Sequence, residues 1–104
     1  MAFVKAALLS DLPEGGALGV EAGGVRIALA AVDGEVFAFA DICSHREFPL
    51  SLGEVDAGAC TITCEWHGAA FDLRTGAPTC PPALRPIAVY PAKVEDGVVW
   101  VMVG

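Results

Sequence analysis

Cys43-Ser44-His45 and Cys64-Glu65-Trp66-His67 are the two stretches on which the reading of this chain turns. As a pattern they are C-x-H, eighteen residues, then C-x-x-H. Each stretch offers one thiolate sulfur and one imidazole nitrogen. Four side chains, Cys43, His45, Cys64 and His67, can therefore hold a metal centre whose two sides differ. A Cys and a His two or three residues apart in a turn can present both side chains on one side of a loop. Two such loops brought tip to tip can clamp a flat two-iron core. The eighteen intervening residues suffice for strands that bring the chain back to the same end of a sheet. A Cys₂His₂ set also serves structural zinc, but zinc spacing usually pairs Cys with Cys and His with His. Here each half mixes the two.

These donors, in this order, resemble the ligand signature of Rieske proteins, in which two Cys bind one iron of a [2Fe–2S] cluster and two His bind the other. The flanking residues strengthen the match. His67-Gly68, Phe71-Asp72 and Thr75-Gly76 are similar to the second cluster loop and following hairpin of Rieske ferredoxins. The resemblance implies one [2Fe–2S] cluster per chain, held by Cys43, His45, Cys64 and His67. It implies ligation through Nδ1 of each His, with Nε2 at an exposed tip through which the electron leaves. It also implies an all-β Rieske iron–sulfur fold, an antiparallel β-sandwich base with a small inserted cluster-binding subdomain.

The chain is expected to be one domain over residues 1–104, with a base of about 1–40 and 87–104 around a cluster-binding block of about 41–86. Val25–Ala30 and Glu35–Ala40 are expected strands around Asp33-Gly34, and 88–95 and 98–103 flank Asp96-Gly97 in the same way. Asp-Gly between two such runs is a strong signal for a tight hairpin. The start of the chain, Met1 to Asp11, reads as a first strand, and a short helical turn fits Pro49 to Leu52. Pro78 to Pro86 contains four prolines, too many for a helix and poor for a ladder strand. By composition it is a connecting loop. The resemblance adds that Pro81 and Pro82 would cover the cluster and shield its sulfides from water.

A chain of 104 residues is too short to add a catalytic iron domain or a flavin domain, so it is expected to work alone or to bind its partners. No apolar run approaches the roughly 18 residues a membrane span needs, and the first apolar stretch is too short for a secretory signal. Rieske proteins of respiratory bc complexes are usually membrane-anchored, so the expectation is a soluble, monomeric, cytoplasmic carrier. Thirteen acidic residues against six basic give a formal charge of −7. That charge favours solubility and could steer the protein to a positive docking face. With no basic patch to neutralise phosphates, nucleic acid is not an expected partner.

What is missing sharpens the resemblance. High-potential Rieske proteins carry an extra Cys in each loop, and these two form a disulfide. The matching positions are Phe48 and Trp66. Those proteins also place Ser and Tyr hydroxyls as donors to cluster and cysteine sulfur, where this chain has Ala69 and Phe71. Donors to sulfur stabilise the electron added on reduction, so their loss lowers the potential. The expectation is the low end of the Rieske range of about −150 to +300 mV.

The implied function is that of the ferredoxin component of bacterial multicomponent aromatic-ring dioxygenases. Such a protein carries single electrons from an NAD(P)H-dependent flavin reductase to a terminal oxygenase, and is not itself an enzyme. Ferredoxins encoded beside iron–sulfur assembly systems are similar. The alternatives are the Rieske-like small subunit of NAD(P)H-dependent nitrite reductase, a Rieske fold that has lost its cluster, and a zinc-stabilised binding module. Cys60 and Cys80 are left over. They are expected to be reduced thiols, since a disulfide between them would be unusual in the cytosol.

Overall fold

Short apolar runs separated by Gly and Asp-Gly pairs give the chain eleven strands among its described residues. They are β1 (Phe3–Leu8), β2 (Leu18–Ala22), β3 (Val25–Val32), β4 (Glu35–Ala40), β5 (Glu54–Asp56), β6 (Thr61–Thr63), β7 (Ala70–Asp72), β8 (Pro78–Cys80), β9 (Val89–Tyr90), β10 (Ala92–Glu95) and β11 (Val98–Met102). The computed structural model describes residues 3–13, 15–42, 49–64, 69–80 and 85–103. Of the four expected ligands only Cys64 is among them. Cys43, His45 and His67 lie outside the described residues, as do Phe48, Trp66, Pro81 and Pro82.

The strands form three antiparallel sheets, ordered β1-β11-β10, β2-β3-β4-β9 and β5-β6-β7-β8. Asp33-Gly34 and Asp96-Gly97 are two-residue hairpin turns, closing Val32 against Glu35 and Glu95 against Val98. Both residues of each pair have positive φ, at 50° and 82° and at 52° and 74°. This is the type I′ geometry whose twist matches that of the flanking strands. Short 3₁₀ turns occupy Leu9–Asp11 and Leu50–Leu52.

The middle sheet is buried on both faces. Along β3, Ala28, Ala30 and Val32 enter one apolar cluster with Phe39, Ile62 and Phe71, while Ile27 and Leu29 enter the other with Val99 and Val101. Alternate side chains of a strand point to opposite faces. A strand between two cores therefore shows an unbroken apolar run, here Ile27 to Ala30. The first cluster joins the middle sheet to β6 and β7, and the second joins it to β11.

Two expectations need correction. The run 88–95 is not one strand. Pro91 divides it: β9 pairs with β4, and β10 pairs with β11 in a different sheet. Proline has no N–H to donate, so the ladder breaks there. The proline-rich stretch is also not wholly a loop. Pro78–Cys80 form the edge strand β8 against β7, with an irregular register between Ala70 and Phe71. Proline is tolerated as the first residue of an edge strand.

Candidate metal centre

Cys64 stands at the tip of the β6–β7 hairpin. The ladder runs from Thr61 opposite Asp72 to Thr63 opposite Ala70. One step further, the Cys64 N–H donates to the Ala69 carbonyl at 2.7 Å. The hairpin thus stays closed up to the residues that carry the C-x-x-H loop. Cys64 is buried, and it shares the first apolar cluster with Ala69 and Phe71, both fully buried. Neither of these two neighbours brings a hydroxyl to the hairpin tip.

The exit of the first ligand stretch is brought to the same place. After the 3₁₀ turn Leu50–Leu52, the Gly53 N–H donates to the Leu50 carbonyl at 2.9 Å, and β5 then pairs with β6, Glu54 opposite Thr63. A Cβ on Gly53 would run into the Thr63 carbonyl oxygen. The missing side chain therefore lets the end of one loop lie against the residue that precedes Cys64. The described part of the intervening residues, 49–63, brings the chain back beside the residue before Cys64.

The entrance of that first stretch holds a group that the sequence did not single out. Asp41 is the one buried charged residue among the described positions, 6% exposed. From described residues its carboxylate accepts three hydrogen bonds: from the Ser51 N–H to Oδ1 at 2.7 Å, from Ser51 Oγ to Oδ2 at 3.0 Å, and from Arg26 Nε to Oδ2 at 3.0 Å. Asp41 lies just before the 43–48 stretch and Ser51 just after it. Gly19 of β2 leaves the necessary room, because a Cβ there would stand 2.7 Å from Asp41 Oδ2 and 2.8 Å from Ser51 Oγ.

Cys60 is not placed to ligate with Cys64. The two flank β6, four residues apart, which is roughly 10–13 Å along a strand. Cys60 carries a buried free thiol. Burial pushes this thiol's pKa up, and the nearby Arg74 charge acts in the opposite direction. Its backbone has φ 55°, and its carbonyl accepts from the Leu73 N–H at 2.9 Å. Cys60 therefore pins the turn before β6 to the turn after β7, at the end opposite Cys64. A groove of about 390 Å³ lined by Glu35, Phe37, Leu73, Arg74 and Tyr90 adjoins this same far end.

Among the described residues no three His, Cys, Asp or Glu side chains converge on one point, as follows from three of the expected ligands lying outside them. A buried thiol at a closed hairpin tip, with two Cys and two His as the expected donors, fits an iron–sulfur cluster in its chemistry. The comparison with known proteins agrees. Residues 2–91 match the model of the Rieske [2Fe-2S] domain, and the chain belongs to that family. Ferredoxins are among its relatives there. The 3-phenylpropionate/cinnamic acid dioxygenase ferredoxin subunit of Photorhabdus laumondii is 43% identical over 91% of this chain and 89% of its own length. The ferredoxin of carbazole 1,9a-dioxygenase from Nocardioides aromaticivorans superposes with a TM-score of 0.91 at 31% identity, covering 97% of both chains. A protein described as a nitrite reductase NADPH small subunit superposes with a TM-score of 0.85, over 99% of this chain and 100% of its own. At 22% identity that likeness speaks for the fold alone. Like its ferredoxin relatives, the chain is an electron-transfer component rather than a catalyst.

Proposed function

We propose that this ferredoxin holds one [2Fe–2S] cluster per chain on Cys43, His45, Cys64 and His67, and passes single electrons from an NAD(P)H-dependent flavin reductase to a terminal oxygenase. The observation that carries the proposal is the buried Cys64 at the tip of a hydrogen-bonded hairpin, with the exit of the Cys43/His45 stretch laid against the residue before it. The ferredoxin relatives, named as parts of dioxygenase systems, supply the acceptor. The same reading divides the chain into a base of about 1–40 and 87–104 and a cluster-binding block of about 41–86. The sheet β5-β6-β7-β8 supports this division, because all of it falls within the second block.

Bound at these residues, the cluster would supply a one-electron couple, and the chain sets how readily it fills. Cys43 and Cys64 would hold one iron as thiolates, and His45 and His67 the other through neutral nitrogens. The apolar packing of Cys64, Ala69 and Phe71 keeps water from the inner side. With no hydroxyl from Ala69 or Phe71, the added charge gains no hydrogen bond there, which favours a low potential. No helix among the described residues is long and apolar enough to cross a membrane. We propose a carrier that works in the cytoplasm as a monomer.

Protein purified without air tests the proposal. Two irons and two acid-labile sulfides per chain, a Rieske electron spin resonance signal on reduction and a midpoint below 0 mV are expected. The signal should vanish in His45→Ala and His67→Ala. Zinc without sulfide, or an undiminished signal in both variants, overturns the ligand assignment. Co-purification with a large sirohaem subunit would overturn the oxygenase assignment.

A further inference from the structure

We infer that Asp41 is a positioning residue for the cluster: its carboxylate staples the two ends of the Cys43/His45 stretch together, and so holds these two ligands where the second pair can meet them. The inference rests on the ligand assignment above and goes beyond it, since Asp41, Ser51, Arg26 and Gly19 are not ligands.

The geometry is specific. Asp41 and Ser51 are ten residues apart in sequence, and all six residues from Cys43 to Phe48 lie between them. Ser51 donates to the carboxylate twice, once from its backbone and once from its hydroxyl, so both position and orientation of the returning chain are set. Arg26 on β3 donates from its Nε to Oδ2, which ties the pair to the middle sheet. Its side chain is largely exposed while that of Asp41 is fully buried. The guanidinium therefore covers the carboxylate from the solvent side. The Asp41 N–H points back to the Arg26 carbonyl at 3.4 Å. Gly19 completes the arrangement by leaving empty the volume that the carboxylate and hydroxyl need.

A buried carboxylate has a reason to stay where all its donors are supplied, because an ion removed from water is costly unless it is hydrogen-bonded and paired. Two of these bonds, both from Ser51, exist only while positions 41 and 51 are together. The carboxylate thus favours keeping positions 41 and 51 together, and ends already fixed leave less to order when iron binds. Hydrogen bonds to charged groups act in the range that shifts an equilibrium about ten- to a hundredfold.

The test compares cluster loss in air, followed by visible absorbance and spin resonance, for the wild-type protein, Asp41→Ala, Asp41→Asn, Gly19→Ala and Val99→Ala. Val99 belongs to the other apolar cluster and serves as a control for general destabilisation. Asp41→Ala and Gly19→Ala are expected to lose the cluster about ten- to a hundredfold faster than wild type, with broadened spin resonance features. Val99→Ala should lower the melting temperature yet leave those features unchanged. Asp41→Asn keeps an oxygen for the Ser51 N–H but sets an NH₂ where Ser51 Oγ and Arg26 Nε donate, and should recover only part of the retention. If wild type carries the Rieske signal and Asp41→Ala loses its cluster no faster than Val99→Ala, the positioning role is refuted. If Asp41→Asn behaves like Asp41→Ala and Gly19→Ala like wild type, the staple geometry is refuted. A wild type without the signal refutes instead the ligand assignment on which the inference rests.

Discussion

Gly53→Ala probes the contact that joins the two halves of the candidate centre. Gly53 has φ −82°, open to any residue, so its constraint is space and not backbone conformation. A new methyl would meet the Thr63 carbonyl oxygen, with the Thr63 carbonyl carbon at 2.9 Å and the Leu50 carbonyl oxygen at 3.2 Å. All three are backbone atoms, and no rotamer change relieves them. The Leu50 carbonyl is also held by the Gly53 N–H, and Thr63 is held in the pairing of β5 with β6. Relief must come from parting β5 and β6 at their last pair. Overpacking of this kind costs about 1–3 kcal/mol. For a domain near 100 residues each kcal/mol lowers the melting temperature by roughly 4–8 °C. A fall of about 10 °C is therefore expected, with a parallel gain in the rate of cluster loss because Thr63 adjoins Cys64. The assay is thermal unfolding with and without cluster, alongside Gly58→Ala. At Gly58 the nearest atom to a new Cβ is Asp56 Oδ1, at an ordinary 3.4 Å. A Gly53→Ala protein melting within about 2 °C of Gly58→Ala would refute the reasoning.

Restoring the missing hydroxyls with Phe71→Tyr and Ala69→Ser should raise the midpoint. A hydrogen bond worth about 1 kcal/mol is about 40 mV for a one-electron couple, and a spin resonance redox titration showing no rise in either variant would refute the matching of these positions. The buried Cys60 thiol should react with a thiol reagent only on unfolding, and rapid labelling of the folded protein would contradict its burial. Because its folded pKa lies above the ordinary thiol value, its contribution to stability is complete below that value, near pH 8.5, and is lost as pH rises through the folded one. Cys60→Ala should flatten this alkaline decline in denaturant titrations, and an unchanged slope would refute the link.

The readable and unreadable parts of this chain differ in the range of the forces that set them. Asp33-Gly34 and Asp96-Gly97 carry their hairpins in two residues, because left-handed φ values at adjacent positions demand small or polar side chains. The four proposed ligands stand out by residue type and order. Pro91 misleads because composition continues across it while the pairing partner changes, and only the fold decides that β9 and β10 belong to different sheets. Pro78 misleads for a related reason: its missing donor matters only if an edge faces a partner. Asp41 has no local signature. An acid after an apolar strand ordinarily ends in water, and the residues that draw it inside are ten and fifteen positions away. Gly53 and Gly19 are likewise silent, since what each would collide with is remote in sequence.

The tight turns bear on the order in which the molecule can assemble. Gly23-Gly24 and Asp33-Gly34 link β2, β3 and β4 into a meander whose neighbours are all local in sequence. Hairpins of this kind close in about 1–10 μs, whereas the pairing of Phe3 with Met102 must wait for the whole chain to double back. Gly19, Arg26 and Asp41 all lie on that meander or at its end. The anchor for the first ligand loop is thus among the parts of lowest contact order, ready before the distant strands arrive and independent of any metal. Pulse-labelled hydrogen exchange on the cluster-free chain should protect amides of β3 and β4 ahead of those of β11, and the reverse order would contradict this sequence of events.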